Sequence, residues 1–453
     1  MTEPARRLTL LDCLAIGING VVGSGVYLQL SPLAQKAGAA SVAGIAVSAL
    51  LCTLIALCFA ELSGMFDKNG GSYLYARTAL GPYVGWAVGW MSLTVGVTAF
   101  AAVAAGFGDQ LSALLPSWGL DRPVLQIGKA QLLGKTLIAL LLVLSLGSIN
   151  LVGVRAGART STLLSIVKLV PLLLLAAVGV FAIRGEVVAS VFSPSTIPAT
   201  AQGGYFGAVG SAAFFAVFML SGFEFTAVPA GEAQASKRNV PIAIVGSLVG
   251  AAVLYCVLQL VALSLVPDLP QRSQPLPYVA NILFGSWGEP LIGVAALVSM
   301  AGFCAGSALV GPRYFTVLAE DGYLPAGLAR ISRFGTPAVA VFVTTSMAAL
   351  LVLWGNYASL VDISTVALFG QYIPTSIAAL VLRYRMPNAE RTYRLPWGPT
   401  IPLLATVFSV VLMWKAGPRP EEWLAAAEIT AVGLAVWLAT SMARRIHPQE
   451  TPT

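Results

Sequence analysis

The sequence predicts an all-α integral membrane protein, one membrane domain (1–453) of twelve spanning helices, on three observations. Of the 453 residues, 57% are hydrophobic and only 10% are charged, whereas a soluble chain averages about 25% charged. At a mean hydropathy of +0.83, too little polar surface exists to cover a water-soluble globule. The apolar residues gather into stretches suited to the roughly 20-residue helix that crosses the hydrocarbon core. Two of these stretches are interrupted by glycines and polar residues at membrane depth. Together these exclude a soluble enzyme, a disordered regulator and a nucleic-acid binder that merely looks basic.

In order, the predicted spans are 10–34, 41–65, 82–107, 133–151, 158–183, 205–229, 241–266, 289–318, 336–355, 360–382, 399–416 and 424–442. The first follows Arg6 and Arg7. It is too long for a signal-peptide core and leads directly into further spans, so it reads as a retained helix. The eleventh is short and flanked by prolines. The longest predicted outer segments are 108–132 and 184–204, and no linker or low-complexity tract is present. An even number of spans puts both termini on one side. If that side is cytoplasmic, it holds about twice as many Lys and Arg as the other, in the direction of the positive-inside bias. This orientation accounts for the net charge of +7 without an anionic partner, and it predicts a multi-pass plasma-membrane protein. Trp86, Trp287, Trp354, Trp414 and Trp437 fall near span ends, as an interfacial belt requires. Cys13, Cys52, Cys58, Cys256 and Cys304 lie in or beside apolar runs without paired spacing. They read as small hydrophobes, not as a disulfide framework or metal site. The single histidine, His447, lies in the polar tail. No metal or cofactor is expected.

The first span contains Gly17-Ile18-Asn19-Gly20-Val21-Val22-Gly23-Ser24-Gly25-Val26, and the sixth contains Met219-Leu220-Ser221-Gly222-Phe223-Glu224-Phe225-Thr226 with Pro229 just beyond. Glycine costs about 1 kcal/mol relative to alanine in a helix. Non-helical backbone at membrane depth is tolerated only inside protein or along a wet cavity. Both stretches therefore read as helix breaks. A half-helix N-terminus offers N–H groups to a carboxylate, and the preceding half offers carbonyls to an ammonium. Small-residue helix packing explains either stretch alone. Both together, in the first members of two five-helix halves, point to a transporter binding site.

These motifs resemble those of the amino acid–polyamine–organocation superfamily of secondary transporters, in a form similar to bacterial amino acid permeases and to the cationic and L-type amino acid transporters. Gly23-Ser24-Gly25-Val26-Tyr27 matches the family's first-helix motif and Gly222-Phe223-Glu224 its sixth-helix motif. Gly231-Glu232-Ala233 with Lys237-Arg238-Asn239-Val240-Pro241 follows, lacking one acid of the family's pair. Gly70-Gly71-Ser72-Tyr73 with Tyr75, Glu320-Asp321-Gly322 with Pro325, Gly335-Thr336-Pro337 and Tyr393-Arg394-Leu395-Pro396 complete an ordered set. The resemblance implies a leucine-transporter-like fold: an inverted repeat of 10–183 and 205–382, plus two additional helices in 399–442. It implies an amino-acid site in which the amides near Gly23, Ser24 and Gly25 hold the carboxylate. Carbonyls near Val21 and Val22, and of Phe218 and Ser221 beside Gly222, hold the amino group. Phe218 takes an aromatic gate position that is tryptophan in the arginine–agmatine antiporter. Heteromeric members carry a cysteine between spans three and four; none is present here, so no disulfide-linked heavy-chain partner is expected.

Few charges lie at depth. Lys168 stands about ten residues, or about 15 Å, into the fifth span, beyond the reach of snorkelling. An intramembrane ion is functional by default, and the alternative is a lysine lining a wet vestibule. The resemblance implies that Lys168 replaces the sodium of coupled relatives and touches the first and eighth helices, so transport is expected to be sodium-independent, with Lys168 either a fixed ammonium or itself the group that carries a coupled proton. Glu224 either carries a proton or is a carboxylate satisfied by the N–H groups of its own turn. Glu61 and Glu232 are expected to pair with loop arginines as gate contacts, Asp12 to start a helix, and Asp362 to be solvated. The function expected is secondary active amino-acid transport by alternating access, by proton coupling or exchange. A polyamine or other organic cation is the alternative cargo, but it has no carboxylate for the first-helix amides. A membrane enzyme would need a convergent catalytic set, and only Lys168 and Glu224 are available for one.

Overall fold

The structure is a computed structural model and describes residues 8–66, 68–127, 130–152, 154–199, 201–417 and 420–446. Arg6, Arg7 and His447 lie outside the described residues. Helix α1 (Leu10–Val21) opens with a capping box in which Asp12 Oδ2 accepts from Thr9 N at 2.9 Å and Thr9 Oγ1 from Asp12 N at 3.3 Å. This satisfies N–H groups that a first turn leaves open. The chain leaves the helix at Val22 and resumes as α2 (Gly25–Leu28) and α3 (Leu30–Ala37). Next come α4 (Ser41–Ser63), α5 (Ser72–Leu80) and α6 (Pro82–Leu114), then the antiparallel hairpin β1 (Pro123–Ile127) and β2 (Ala130–Leu133). Helices α7 (Gly134–Val152), α8 (Val154–Gly179), α9 (Gly185–Ser190) and α10 (Gly204–Leu220) follow. After an irregular stretch come α11 (Ser236–Leu265), α12 (Pro275–Phe284), α13 (Gly288–Glu320), α14 (Ala338–Trp354), α15 (Tyr357–Arg385), α16 (Thr400–Ala416) and α17 (Pro420–Ile446).

Among the described residues, 8 helical stretches are long and apolar enough to cross a membrane, and four shorter apolar helices accompany them: Val167–Ala182, Ala338–Trp354, Thr400–Ala416 and Ala426–Met442. These segments overlap the predicted spans. The sixth span extends from Gly204 to Ala227 and breaks where the sequence places its interruption: the α-helix ends at Leu220, Ser221 is extended, Gly222 has a φ of 102°, and a short 3-10 turn over Phe223–Ala227 follows. The differences lie at the edges. Helix α6 continues to Leu114, and the hairpin, α5, α9 and α12 occupy stretches expected as loops. Asp362, expected in solvent, is half-buried.

The helices pack in recurring pairs. Helix α4 lies on α11, α6 on α13, and α7 on α14. Helix α1 packs on α11 while α10 packs on α4; α8 packs on α13 while α15 packs on α6. Helix α16 covers α4, α10 and α15. Small residues permit these approaches. A Cβ on Gly44 would stand 2.5 Å from the Ala212 methyl, and one on Gly147 would stand 2.4 Å from Thr345 Oγ1, so only glycine lets those axes close. At one end of the bundle Leu8 pairs with Ala233 as a parallel bridge: Leu8 N donates to Glu232 O at 3.0 Å, and Gln234 N donates to Leu8 O at 2.8 Å. The hairpin marks the opposite end.

Candidate binding site at two facing helix breaks

The two breaks meet back to back. A Cβ on Gly20 would lie 2.2 Å from Gly222 O, and one on Gly222 would lie 2.2 Å from Gly20 O. Neither position admits a side chain, and Gly222 is further restricted by its positive φ. Met219 packs against Gly25, and the ring of Phe303 packs against Gly23. Ser24, Gly25 and Val26 open α2, and among the described residues no backbone carbonyl accepts from their N–H groups. Helix starts leave such donors open.

The carbonyls of the first break are engaged. Val22 O accepts from Lys168 Nζ and from Ser299 Oγ at 3.1 Å, and Gly23 O lies 3.0 Å from the same hydroxyl. Val21 O accepts from Tyr255 Oη at 2.9 Å. Lys168 is fully buried, and its Nζ donates to Val22 O at the C-terminal end of α1, where the helix dipole favours a cation. Helices α8 and α13 thus reach the same atom of the first break.

At the sixth break the polarity is reversed. Glu224, 1% exposed, accepts at Oε2 from Gly222 N and Tyr372 Oη, both at 2.9 Å, and at Oε1 from Gln371 Nε2 at 3.4 Å. Gln371 Oε1 in turn accepts from Ser92 Oγ at 2.7 Å and Ser72 Oγ at 3.3 Å. Phe218 O accepts from Ser221 N at 3.2 Å and Ser221 Oγ at 2.7 Å. Nearby walls are aromatic: Phe214 stacks on Phe369 at 5.4 Å, and Phe223 stacks on Tyr372 at 5.6 Å.

Three further polar clusters sit at the Leu8 end. Glu61 is 1% exposed. It takes both Nε and Nη2 of Arg383, accepts from Leu395 N at 3.0 Å and has Arg391 Nε 3.2 Å away. Glu232 makes a two-pronged pair with Arg313, at 2.8 and 2.9 Å. Asp321 accepts from Tyr73 Oη and pairs with Arg77. Motifs far apart in sequence therefore meet: Tyr73 of one finds Asp321 of another, and Leu395 of a third docks on Glu61.

Of the residues singled out from sequence, Val21, Val22, Gly23, Ser24 and Gly25 adjoin Phe218, Ser221 and Gly222. Lys168 reaches the first group and Glu224 the second. Glu61 and Glu232 stand apart, at the Leu8 end. Sequence reasoning missed Ser299, Tyr255, Gln371 and Ser92, and took Ser72 only as part of a motif. For Gln371 a signal was present: Lys168 and Gln371 each precede a helix-interior proline, Pro171 and Pro374, by three residues.

Two interrupted helices joined at their breaks inside an apolar bundle define a membrane transporter, not an enzyme. The amino acid permease family matches residues 8–436, and the chain belongs to that family. It is a multi-pass membrane protein whose activity is amino-acid transport. It is similar to the branched-chain amino acid permease BcaP of Bacillus subtilis (strain 168), 25% identical over 96% of this chain and 90% of that protein. It is similar also to the serine/threonine exchanger SteT of the same organism, 27% identical over 90% of each chain. The methylthioribose transporter of that organism is 25% identical over 96% of this chain and 93% of its own length.

Proposed function

We propose that the protein is a secondary active transporter of neutral amino acids that works by alternating access. The observation that carries this is the junction at Gly20 and Gly222. It sets the open N–H groups of Ser24, Gly25 and Val26 beside the C-terminal carbonyls of α10. That arrangement suits a group bearing a carboxylate and an ammonium a few ångströms apart. The carboxylate takes the amides near Gly23, Ser24 and Gly25. The amino group takes the carbonyls at Val21, Val22, Phe218 and Ser221, sharing them with Lys168, Ser299, Tyr255 and the Ser221 hydroxyl. Phe218, Met219 and Phe303 at the site favour an apolar side chain, and the buried acid beside it, Glu224, is already met by three donors. The branched-chain permeases among the relatives agree with that choice.

The paired packing of α4 with α11, α6 with α13 and α7 with α14 supports two inverted five-helix repeats, 10–183 and 205–382, with α16 and α17 appended. In that frame each asymmetric packing has its mate: α1 on α11 with α10 on α4, and α8 on α13 with α15 on α6. The Leu8 end faces the cytoplasm in a cell-membrane protein, and Glu61, Glu232 and Asp321 lock it with their arginines. Lys168 supplies the fixed positive charge at the first break, which makes sodium unnecessary. Glu224 is the coupling acid for proton symport or exchange. Reconstitution into vesicles tests this with labelled L-isoleucine, L-serine, L-arginine and putrescine. Saturable, stereoselective, sodium-independent uptake of isoleucine or serine is expected. Uptake of putrescine alone would overturn the amino-acid site, and a sodium requirement would overturn the role of Lys168.

A further inference from the structure

We propose that Gln371 is a positioning residue whose side-chain amide holds Glu224 and reports the charge state of that acid to α5 and α6 through Ser72 and Ser92. The proposal rests on the reading of Glu224 as a coupling acid. Gln371 and Lys168 stand at matching places, three residues ahead of Pro374 in α15 and of Pro171 in α8. Lys168 reaches the carbonyl of the first break, and Gln371 reaches the carboxylate of the second.

The chemistry of the amide makes it a reader. One end donates and the other accepts; a carboxylate only accepts, whereas a carboxylic acid also donates. Nε2 faces Oε1 of the acid, and Oε1 of the amide faces the two serines, which is the direction an ionised Glu224 calls for. When Glu224 carries a proton on Oε1, half a turn of the amide brings its own oxygen round to accept that proton's hydrogen bond. Ser92 permits the turn. Ser92 has one hydroxyl hydrogen and two acceptors within reach, Gln371 Oε1 at 2.7 Å and Val88 O at 2.8 Å. Directed at Val88, it leaves the Ser92 oxygen open to accept from Nε2. The proton on Glu224 therefore sets the bonding direction of Ser92 in α6, and decides whether Ser72 at the start of α5 meets the oxygen or the N–H group of the amide. Helix α5 also carries Tyr73 and Arg77, the partners of Asp321. The other titratable groups facing Glu224 are Tyr372 on α15, Tyr314 on α13 and Cys52 on α4. Among the described residues no Lys or Arg pairs with it.

The test uses the full chain in lipid vesicles with isotope-labelled glutamine. The Gln371 side-chain resonance, identified by its loss in Gln371→Met, is expected to shift between mildly alkaline and mildly acidic pH. It is expected to stay fixed in Glu224→Gln and to shift less in Ser92→Ala. This measurement needs no substrate. Uptake of labelled L-isoleucine supplies a second readout, in which Gln371→Met and Ser92→Ala move the midpoint of the pH profile by about one unit. A purely structural role instead lowers uptake by one factor at every pH, and that result overturns the proposal. So does a Gln371 resonance indifferent to pH, or one that still shifts in Glu224→Gln. A pH profile of uptake that Glu224→Gln leaves unchanged overturns the coupling role of Glu224 itself.

Discussion

The two helix breaks are held open by opposite means. At the first, donors from three helices converge on backbone carbonyls: the Lys168 ammonium, the Ser299 hydroxyl and the Tyr255 hydroxyl. At the sixth, one carboxylate, Glu224, gathers a backbone N–H, a tyrosine hydroxyl and a glutamine amide. A broken helix leaves both kinds of group exposed. The first break keeps its N–H groups open and covers its carbonyls; the sixth covers an N–H with an acid. The open donors of one and the carbonyl end of the other lie together, which gives the site its direction. On the function proposed above, the carboxylate and ammonium of an amino acid have one orientation in which both are met.

The sharpest way to break this comparison is to push the two breaks apart. Gly20→Ala places a methyl 2.2 Å from Gly222 O. We expect a loss of about 3 kcal/mol, typical of severe overpacking, read as a collapse of thermal stability together with loss of all uptake. Near-normal melting and uptake would show that the breaks do not depend on their junction. Lys168→Ala disables the first break alone. A hydrogen bond from a charged donor is worth about 1.5–3 kcal/mol, so uptake should fall by roughly 10- to 100-fold, with the folded protein still recovered. Arg383→Met tests whether the Leu8 end is independent of both breaks. It leaves Glu61 buried with a weaker partner and should cost about 3 kcal/mol in unfolding measurements.

Smaller changes refine the contrast. Tyr255→Phe and Tyr372→Phe each remove one hydroxyl donor at 2.9 Å, to a carbonyl and to a carboxylate respectively. The first should cost about 1 kcal/mol and the second about 2. Only the second should change the pH dependence of uptake; equal effects would remove the distinction between the breaks. The smallest effect lies far from both. At the hairpin end the exposed Asp121 is held below the usual carboxylate range, first by the Ser112 hydroxyl and then by the Lys135 ammonium. A carboxylate lowered on folding stabilises the fold above its unfolded value, and that contribution is lost as pH falls through the folded value. Asp121→Asn should flatten this slight acid-side slope in melting temperature and leave uptake untouched.

The helical membrane class was legible because hydropathy depends only on composition within a window, and the breaks were legible because glycine and polar residues stand out in an apolar run. Lys168 stood out for the same reason: an isolated charge in hydrocarbon has few explanations. Its partners were not legible. Ser299 and Tyr255 are common residue types in membrane helices, and what makes them matter is a three-dimensional approach to Val21 and Val22 from spans remote in sequence. For Glu61 an arginine partner was legible, but not which ones: Arg383 and Arg391 read like any other basic residues of that side until the fold sets them on it. The extent of the sixth span was legible too, since Phe223, Phe225 and Ala227 continue the apolar run and the segment reaches Ala227; the form of its break, an extended Ser221 and a left-handed Gly222, was not.

The pairing of Leu8 with Ala233 has a mechanical consequence. Helix α1 and the chain beyond α10 are fastened at mid-depth, where Gly20 meets Gly222, and again at the end, through two backbone hydrogen bonds beside Leu8. A single fastening would act as a swivel, but two separated ones fix an angle. The angle between the two broken helices is therefore set at both points, and main-chain bonds at the end leave it largely indifferent to which side chain stands at position 8.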